Sequence, residues 1–281
     1  MKTVISASRR TDLAAFFPEW LAGALRSRRA RVVGPAGVFE ADLSPDSVHT
    51  LVLWSKDFCN VIENAFGLRE LLVAYRQLYF HFTITGLGGG PLEPAAPPPA
   101  AALAEVGPLV RLAGDPRRVS LRFDPVVFWK EGGRVRSNLD FFPVLAGTAA
   151  RFGVRDIRMS FAQWYAKARR RAARRGLEFV DPDEKEKKEM AAGLAAEARG
   201  HGLTLHACSQ SFLTSVDGIA PSACIDGRLL GGLHPDGEAA SEIKDRSQRR
   251  DCRCTRSVDI GSYAQSCPHG CVYCYANART G

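Results

Sequence analysis

The chain has 281 residues, of which 46% are hydrophobic and 24% charged. This balance is typical of a soluble globular protein with a substantial core, and it excludes disorder over most of the chain. No apolar run reaches the length of a membrane span, and the N-terminus lacks the pattern of a secretory signal, so we expect a cytoplasmic protein with no membrane partner. The formal net charge of +8 leaves a polyanionic partner such as nucleic acid open.

Short apolar segments alternate with longer amphipathic ones from the N-terminus onward. This alternation predicts parallel βα units, and a barrel of such units accommodates a chain of this length in one domain. We predict strands at 3–7, 49–54, 78–85, 119–123, 156–161, 203–207 and 257–263, with helices at 12–28, 61–76, 141–151, 163–175 and 183–199 and another that ends near 112.

Three parts of the chain are predicted to form one compact domain. Residues 1–207 contain the regular barrel units. Residues 208–256 are rich in Gly, Ser, Asp and Cys and show little periodicity, so they need another source of order, which an auxiliary metal site can supply. Residues 257–281 contain the last predicted strand, which leads directly into a cysteine-rich loop.

That loop carries Cys267, Cys271 and Cys274 in a C-x3-C-x2-C triplet. Clustered cysteines in a reducing compartment indicate metal binding rather than disulfides. Three thiolates can hold a [4Fe–4S] cluster and leave one iron free to bind another ligand. A structural zinc ion is the alternative, and it needs a fourth ligand from His269 or a more distant cysteine.

Four further cysteines form a second set in the irregular segment. Their thiolates are sufficient to saturate one more [4Fe–4S] cluster or one structural zinc ion. This quartet consists of Cys208, Cys224, Cys252 and Cys254. Cys59 stands apart at the start of an apolar helix and is expected to be an ordinary buried thiol.

The triplet, with the aromatic Tyr273 before its last cysteine, resembles the defining motif of the radical S-adenosylmethionine (SAM) enzymes. Residues 267–276, together with residues 92–98, are similar to the spore photoproduct lyase branch of that superfamily. The layout of the whole chain, from the sequence SASRRTD at 6–12 to the Cys-x-Cys pair before the triplet, is similar to DUF1848, a bacterial family of unknown function. That last resemblance carries no activity with it.

The radical SAM resemblance implies that the triplet holds a [4Fe–4S] cluster whose open iron binds SAM. It implies reductive cleavage of SAM to methionine and a 5′-deoxyadenosyl radical, which abstracts hydrogen from a substrate that the sequence does not identify. It also implies a small reducing protein, such as a flavodoxin or ferredoxin, as electron donor. The chain departs from the superfamily in showing no clear Gly-Gly-Glu, a sequence that often holds the amino group of SAM.

The position of the triplet is unusual, because the cluster loop of that superfamily normally follows the first barrel strand. Here the strand and its loop come last. We therefore expect a partial (β/α) TIM-like barrel that is circularly permuted, in which the strand at 257–263 lies beside the strand at 3–7.

Polar side chains at the carboxyl ends of the predicted strands are expected to line a cavity beside the cluster, because barrel sites form at that end. Arginine can hold a carboxylate through two hydrogen bonds, and tyrosine can donate or relay hydrogen. The catalytic candidates are Arg10, Asp12, Lys56, Arg122 and Tyr165, and the cofactor-binding candidates are Ser6, Ser8, Arg9, Thr11, Thr85, Glu93, Ser160 and Tyr273. A capped helix start with solvent-facing arginines is the alternative for residues 6–12.

The histidines give weaker signals. His81 and His206 alternate into predicted strands and are expected to be core or rim residues. His269 lies inside the triplet motif, where we expect it to pack or to donate a hydrogen bond to cluster sulfur.

Residues 167–175 carry six basic side chains on a predicted helix. Such a run is usually a solvated face. It nevertheless leaves two alternatives open: a zinc-stabilised, non-catalytic nucleic-acid-binding protein, and a radical enzyme that acts on tRNA or DNA.

Overall fold

A computed structural model describes residues 1–34 and 37–276 of the protein. The strands are β1 (Thr3–Ala7), β2 (Arg29–Gly34), β3 (Gly37–Asp42), β4 (Val48–Ser55), β5 (Leu78–Thr83), β6 (Val119–Val126), β7 (Phe128–Glu131), β8 (Arg134–Ser137), β9 (Asp156–Phe161), β10 (Glu178–Val180), β11 (Thr204–Ala207), β12 (Ile219–Pro221) and β13 (Val258–Asp259). The helices are α1 (Leu13–Phe16), α2 (Pro18–Ser27), α3 (Cys59–Ile62), α4 (Leu68–Leu72), α5 (Pro99–Ala113), α6 (Phe142–Arg151), α7 (Ala166–Arg174), α8 (Glu184–Gly200) and α9 (Gly227–Leu233).

Eight strands form one sheet in the order β12-β11-β9-β6-β5-β4-β1-β13. Every neighbouring pair in it is parallel. The prediction of an α/β protein built on parallel strands is therefore confirmed. None of the helices in the described ranges is both long and apolar enough to cross a membrane.

Successive side chains of a strand point to opposite faces of the sheet. The two faces pack against different parts of the chain. The outer face, which includes Ile5, Leu51 and Phe80, packs in one large core with buried helix residues such as Leu21 and Leu109. These helices are amphipathic, and their apolar sides contribute to that core.

The inner face carries Val4, Val52 and Tyr79, which pack against Ile225 and Leu230. The last two residues belong to the irregular segment 208–256, so that segment fills the space over the inner face. Toward the carboxyl ends of the strands the same face carries polar side chains. These side chains form one wall of the site described below.

The C-terminal strand β13 lies beside β1, as expected, with Ile5 paired to Val258 and Ser6 to Asp259. It is shorter than the predicted 257–263. Gly261 follows it and packs so closely against Ser8 that no side chain fits there. Residues 277–281, at the end of the predicted segment 257–281, lie outside the described residues.

Several local predictions differ from the structure. The predicted helix at 12–28 is divided at Pro18 into α1 and α2. The predicted helix at 61–76 is interrupted because Asn64 and Gly67 adopt left-handed φ values of 63° and 72°. The small sheets β2-β3 and β10-β7-β8 were not predicted. Residues 35–36, which come between β2 and β3 in the sequence, are outside the described ranges.

Candidate metal and cofactor site

A cavity of about 290 Å³ opens at the carboxyl ends of the sheet strands. Pockets for small ligands commonly begin at about 300 Å³, so this space is close to the lower end of their range. The cavity is lined by all seven cysteines of the triplet and the quartet: Cys208, Cys224, Cys252, Cys254, Cys267, Cys271 and Cys274. The two sets, which lie far apart in the sequence, therefore face one common space.

The triplet lies on a loop whose backbone is fixed by the rest of the fold. The amide of Val272 donates to the carbonyl of Leu92 at 2.9 Å, and the amide of Cys274 donates to the carbonyl of Cys271 at 3.2 Å. Cys271 is buried, whereas Cys267 and Cys274 are half-buried. The loop thus presents three thiols toward the cavity in a preformed arrangement.

Burial governs the acidity of these thiols. It raises the pKa of Cys271 well above its usual value, and the neighbouring Glu93, Cys274 and Cys267 raise it further, while the Lys56 ammonium partly opposes them. Burial likewise raises the pKa of Cys267 to about 11. These two thiols are therefore protonated at neutral pH, and a metal that binds them must displace their protons.

His269 anchors the triplet loop to the start of α1. Its Nε2 lies 2.7 Å from a carboxylate oxygen of Asp12, and its Nδ1 lies 3.1 Å from the carbonyl oxygen of Ala95. The ring also makes an edge-on contact with Phe16, with centroids 4.6 Å apart. The structure shows the packing that we expected for His269, and its backbone also hydrogen-bonds the thiol of Cys267. Since both ring nitrogens are engaged, His269 is also a poor fourth ligand for zinc.

Asp12 connects β1, β4 and the triplet loop. Besides contacting His269, its carboxylate accepts hydrogen bonds from the amide of Ala15, the hydroxyl of Ser55 and the amide of Lys56. The helix cap considered for residues 6–12 is therefore present, and Asp12 also lines the cavity. The two interpretations of that stretch are compatible.

Glu93 is the centre of a buried polar cluster behind the cavity wall. Its side chain is 2% exposed, and it accepts hydrogen bonds from Lys56 Nζ at 2.9 Å, Thr85 Oγ1 at 2.6 Å and the hydroxyl of Tyr273. Burial alone would raise the pKa of Glu93, but Lys56 and the two hydroxyl donors outweigh burial and lower it. The cluster holds Lys56 and Tyr273 in place at the cavity wall.

The quartet forms a chain of contacts between thiols. The sulfur atoms of Cys208 and Cys224 lie 3.5 Å apart. Cys254 contacts both Cys224 and Cys252, and its sulfur accepts a hydrogen bond from the amide of Ile225 at 3.4 Å. Four cysteines from an irregular segment of 47 residues, 208–254, are thus linked by contacts at one place.

The half-buried Arg122 and the buried Arg158 accompany the quartet. Arg122 donates to the sulfur of Cys224 at 2.9 Å, and Arg158, which is 3% exposed, lies beside Arg122 in the register of β6 and β9. Hydrogen bonds from Cys208 and Cys254, with the charge of Arg122, lower the pKa of Cys224 well below its usual value despite burial. The pKa of Cys252 is also lowered, to about 6, by its hydrogen bonds with Cys254, whereas hydrogen bonding and burial raise the pKa of Cys208 and of Cys254. Two of the four thiols, Cys224 and Cys252, are therefore biased toward the thiolate, which is the form that binds metals.

The structure brings most of the predicted site residues to the cavity. Ser6, Thr85 and Glu93 lie one layer behind it; Ser6 donates to Asp259 at 2.8 Å and accepts from the indole nitrogen of Trp54 at 3.1 Å. The predicted residues that line the cavity are Ser8, Arg9, Arg10, Thr11, Asp12, Lys56, Arg122, Ser160, Tyr165 and Tyr273. His81 and His206 do not line it.

Sequence reasoning did not single out Trp54 as a site residue, although it is the last aromatic residue of a predicted strand. Its ring stacks on His81 with centroids 4.1 Å apart. The guanidinium carbons of Arg9 and Arg122 lie 5.9 Å and 5.2 Å from the ring centroid. Trp54 is thus an aromatic part of the cavity wall between two cations, and each such contact contributes on the order of 1 kcal/mol.

Arg249 was also missed. It donates to the side-chain oxygen of Gln163 at 3.0 Å and lies 3.4 Å from the hydroxyl of Tyr165. Its position three residues before Cys252 was the available signal. Arg249 links the irregular segment to the residues that follow β9 at the rim of the cavity.

A third group of possible metal ligands lies away from this cavity. One ligand atom from each of His234, Asp236 and Glu238 falls within 4.8 Å of the others. Arg76 pairs with Asp236, and Lys2 pairs with Glu238 at 2.7 Å. Since cations already neutralise both carboxylates, this group is better explained as a set of ion pairs.

Comparisons with known proteins identify the family. A crystal structure of D-hydantoinase aligns with 78% of this chain and 46% of its own, at a TM-score of 0.36 and 11% identity, and so low a likeness supports no statement about fold or function. No curated protein matches the sequence. The profile of a family described as "Domain of unknown function (DUF1848)" matches residues 4–276. The chain therefore belongs to the DUF1848 family, as its sequence layout indicated.

Proposed function

We propose that the protein is a radical SAM enzyme built on a circularly permuted, partial (β/α) barrel. When bound at the triplet, a reduced [4Fe–4S] cluster would supply the electron that splits SAM into methionine and a 5′-deoxyadenosyl radical, which abstracts hydrogen from the substrate. The observation that carries this proposal is a preformed loop of three thiols that opens onto a polar cavity, next to a histidine whose ring nitrogens are both engaged.

The donor set at the triplet fits this group better than it fits zinc. Zinc in structural sites takes four protein ligands, whereas a [4Fe–4S] cluster can accept three and keep one iron open. The open position would face the cavity that the triplet lines. SAM would bind there, among the polar side chains at the strand ends.

The position of β13 supports the permutation. β13 is parallel to β1 and occupies the sheet edge next to it, with the triplet loop after its carboxyl end. A strand in that position would precede β1 in an unpermuted barrel. The sheet is the same in either case, because neighbours in space rather than in sequence form it.

The protein's own residues would position and shield the reactants. The Glu93 cluster fixes Lys56, and the positive charge of Lys56 favours the thiolate form of Cys271. The contact between Asp12 and His269 fixes the loop on the other side. We assign to the remaining cavity residues, including Arg10, the binding of SAM and substrate.

We further propose that the quartet holds a second metal centre, either a [4Fe–4S] cluster or a zinc ion. Both centres with four thiolates carry a net charge of about −2 in their common states. The nearby cations Arg122 and Arg158 complement either of them. Metal analysis therefore has to distinguish the two.

Anaerobic iron, sulfide and zinc analysis of purified protein tests the metal content, beside a variant with Cys267, Cys271 and Cys274 all changed to Ala. About eight irons per chain in the wild type and about four in the variant would mean two cubane clusters, one of them at the triplet. About four irons with one zinc would make the quartet a zinc site. Zinc without iron would overturn the proposal.

Activity is tested with reconstituted protein, SAM and dithionite. The proposal expects 5′-deoxyadenosine from the wild type and none from the triple cysteine variant. Iron-loaded wild-type protein that yields no 5′-deoxyadenosine would contradict it.

The second candidate function is a zinc-stabilised protein that binds nucleic acid. The exposed arginines of α7 are the observation that favours it. This candidate expects colourless protein and an affinity for RNA or DNA that falls steeply with added salt, because cations that neutralise phosphates release counterions. Brown, iron-containing protein with the same salt-dependent binding would instead indicate a radical enzyme that acts on tRNA or DNA.

A further inference from the structure

Helix α7 lies against the outside of the triplet loop. Arg171 donates through Nε to the carbonyl of Val272 at 3.1 Å and through Nη2 to the carbonyl of Cys274. One residue beyond the helix, Arg175 donates to the carbonyl of Pro91 at 3.2 Å. Two of the basic residues in the 167–175 run thus hydrogen-bond to the backbone of the loop region and hold α7 against it.

The solvent-exposed part of α7 presents unneutralised charge. Arg169, Arg170 and Arg174 are exposed, and none of them pairs with a carboxylate among the described residues. The next helix in the chain, α8, differs: it carries as many acidic as basic residues, and its Lys188 pairs with Glu184 at 2.7 Å. We call Arg169, Arg170 and Arg174 the basic face.

Helix α7 contacts backbone carbonyls of the triplet loop, whereas the three thiols of that loop line the cavity. The cavity side is where the proposed function places SAM and substrate, so electrons have to reach the cluster from elsewhere. A helix with its side chains is about 10 Å across. A donor seated on α7 would therefore come within about one helix diameter of the loop.

We propose that the basic face is the docking site of the electron donor, a small reducing protein with an acidic surface. The inference rests on the proposed function. In the transfer step one electron leaves the reduced flavin or iron–sulfur centre of the donor, which is oxidised by one electron, and the centre held by the triplet is reduced by one electron. No bond is made or broken.

The size of the basic face fits a redox partner. Three arginines within six residues of helix span about 8 Å along its axis. Transient redox complexes use small interfaces, and charge complementarity raises their association rate more than their affinity. Such a patch is short for a nucleic acid, which carries a phosphate about every 1.7 Å along a duplex and gains affinity from many contacts.

The test uses the full-length, iron-loaded protein and a fully reduced flavodoxin of net negative charge. Stopped-flow absorbance follows cluster reduction at low ionic strength. In Arg170→Glu/Arg174→Glu we expect the second-order rate constant to fall by about tenfold or more, and its dependence on salt to weaken, because attraction is replaced by repulsion. Reduction by dithionite, a small reagent without a docking surface, should keep its wild-type rate and extent.

The matched control is Arg69→Glu/Arg111→Glu. These two arginines are exposed on α4 and α5, away from the triplet loop, and they likewise lack a carboxylate partner within the described part of the chain. This variant changes the net charge by the same amount. We expect its rate constant to stay within about twofold of the wild type, since charges beyond a Debye length of about 10 Å are largely screened at 0.1 M salt.

Two outcomes would overturn the docking site. One is a wild-type rate with flavodoxin in the α7 variant, and the other is an equal loss of rate in both variants. If the α7 variant keeps its flavodoxin rate but loses binding to unfractionated tRNA, the basic face is a nucleic-acid surface and the proposal is wrong. Failure of the proposed function looks different, because wild-type protein would then hold no iron or would yield no 5′-deoxyadenosine with dithionite.

Discussion

The triplet and the quartet line one cavity but are built in opposite ways. The triplet occupies eight consecutive residues, 267–274, whose backbone is fixed in part by a hydrogen bond to the carbonyl of Leu92. The quartet draws its four thiols from residues 208–254, where regular structure is sparse. A site that the fold makes in advance can lose its metal and stay in shape, whereas a site made of distant irregular residues needs the metal to exist.

The charges around the two sets also differ. Beside the triplet, Lys56 pairs with the carboxylate of Glu93. Beside the quartet, Arg122 pairs with Asp124 and also donates a hydrogen bond directly to the sulfur of Cys224. A thiol of the quartet thus takes part in the charge balance of its site, and the quartet should tolerate the loss of a thiolate less well than the triplet does.

Single cysteine changes give the largest expected difference between the two sets. Cys224 and Cys271 are 7% and 6% exposed, so changing either to Ala removes a similar buried group. If the quartet holds a metal as proposed, we expect Cys224→Ala to lose that metal and several kcal/mol of stability in segment 208–256, because metal binding and folding would be coupled there. Limited trypsin digestion and metal analysis of both variants measure this. Equal resistance of the Cys224→Ala and Cys271→Ala variants to trypsin would contradict the expected difference between the quartet and the triplet.

The ion pair behind the triplet should give the next largest effect. Lys56→Met leaves the carboxylate of Glu93 buried without its cation, and breaking such a pair costs about 3–5 kcal/mol. The double variant Lys56→Met/Glu93→Gln removes the unpaired charge and should recover part of that loss. Urea unfolding measures the free energies. A double variant less stable than Lys56→Met would show that Glu93 is not the cause.

Prediction from sequence succeeded where a short pattern determines the structure. Strong apolar strands such as 3–7 and 156–161 matched the observed bounds. The adjacency of β13 and β1 followed from the triplet motif and the expected barrel. Strand-end polar residues converge because parallel strands place all their carboxyl ends at one edge, so Lys56 and Arg122 could be proposed as site residues without coordinates.

Residues fixed by tertiary contact escaped prediction. The hairpin β2-β3 is an exception, since the dipeptide Gly34-Pro35 is a turn signal in the sequence. Arg249 comes from an irregular segment, in which the sequence does not indicate which way each side chain points. The partners of His269 were equally inaccessible, since Asp12 lies 257 residues away in the chain.

The anchoring of the triplet loop by His269 should have a moderate effect. His269→Gln removes the contact with Asp12 but keeps a polar side chain. Residues that orient a metal-binding loop typically change metal affinity by 10–100-fold, about 1.4–2.8 kcal/mol. We expect iron at the triplet to be lost to a chelator faster by a factor in that range, with the quartet metal unchanged. Faster loss from both sites would indicate general destabilisation instead.

The smallest effect is expected from Glu105, which supports the triplet side of the molecule from α5. Its carboxylate accepts from the amide of Phe58 at 2.7 Å. Burial first, and then the charges of Asp57 and Asp12, raise the pKa of Glu105 from 4.5 to about 8. At pH values between 4.5 and about 8, Glu105 is therefore deprotonated in the unfolded chain but still protonated in the folded protein.

Stability should therefore fall as pH rises from about 5 to 8, by at most about 1.4 kcal/mol per pH unit from this group. Screening reduces the slope, because Glu105 is only partly buried. Glu105→Gln keeps an oxygen for the amide of Phe58 and carries no titrating proton, so the slope should flatten. Urea unfolding at several pH values measures it, with the exposed Glu19→Gln as control. If both variants keep the wild-type slope, Glu105 is ionised at neutral pH in the folded protein, and the triplet side carries one more buried negative charge than its contacts imply.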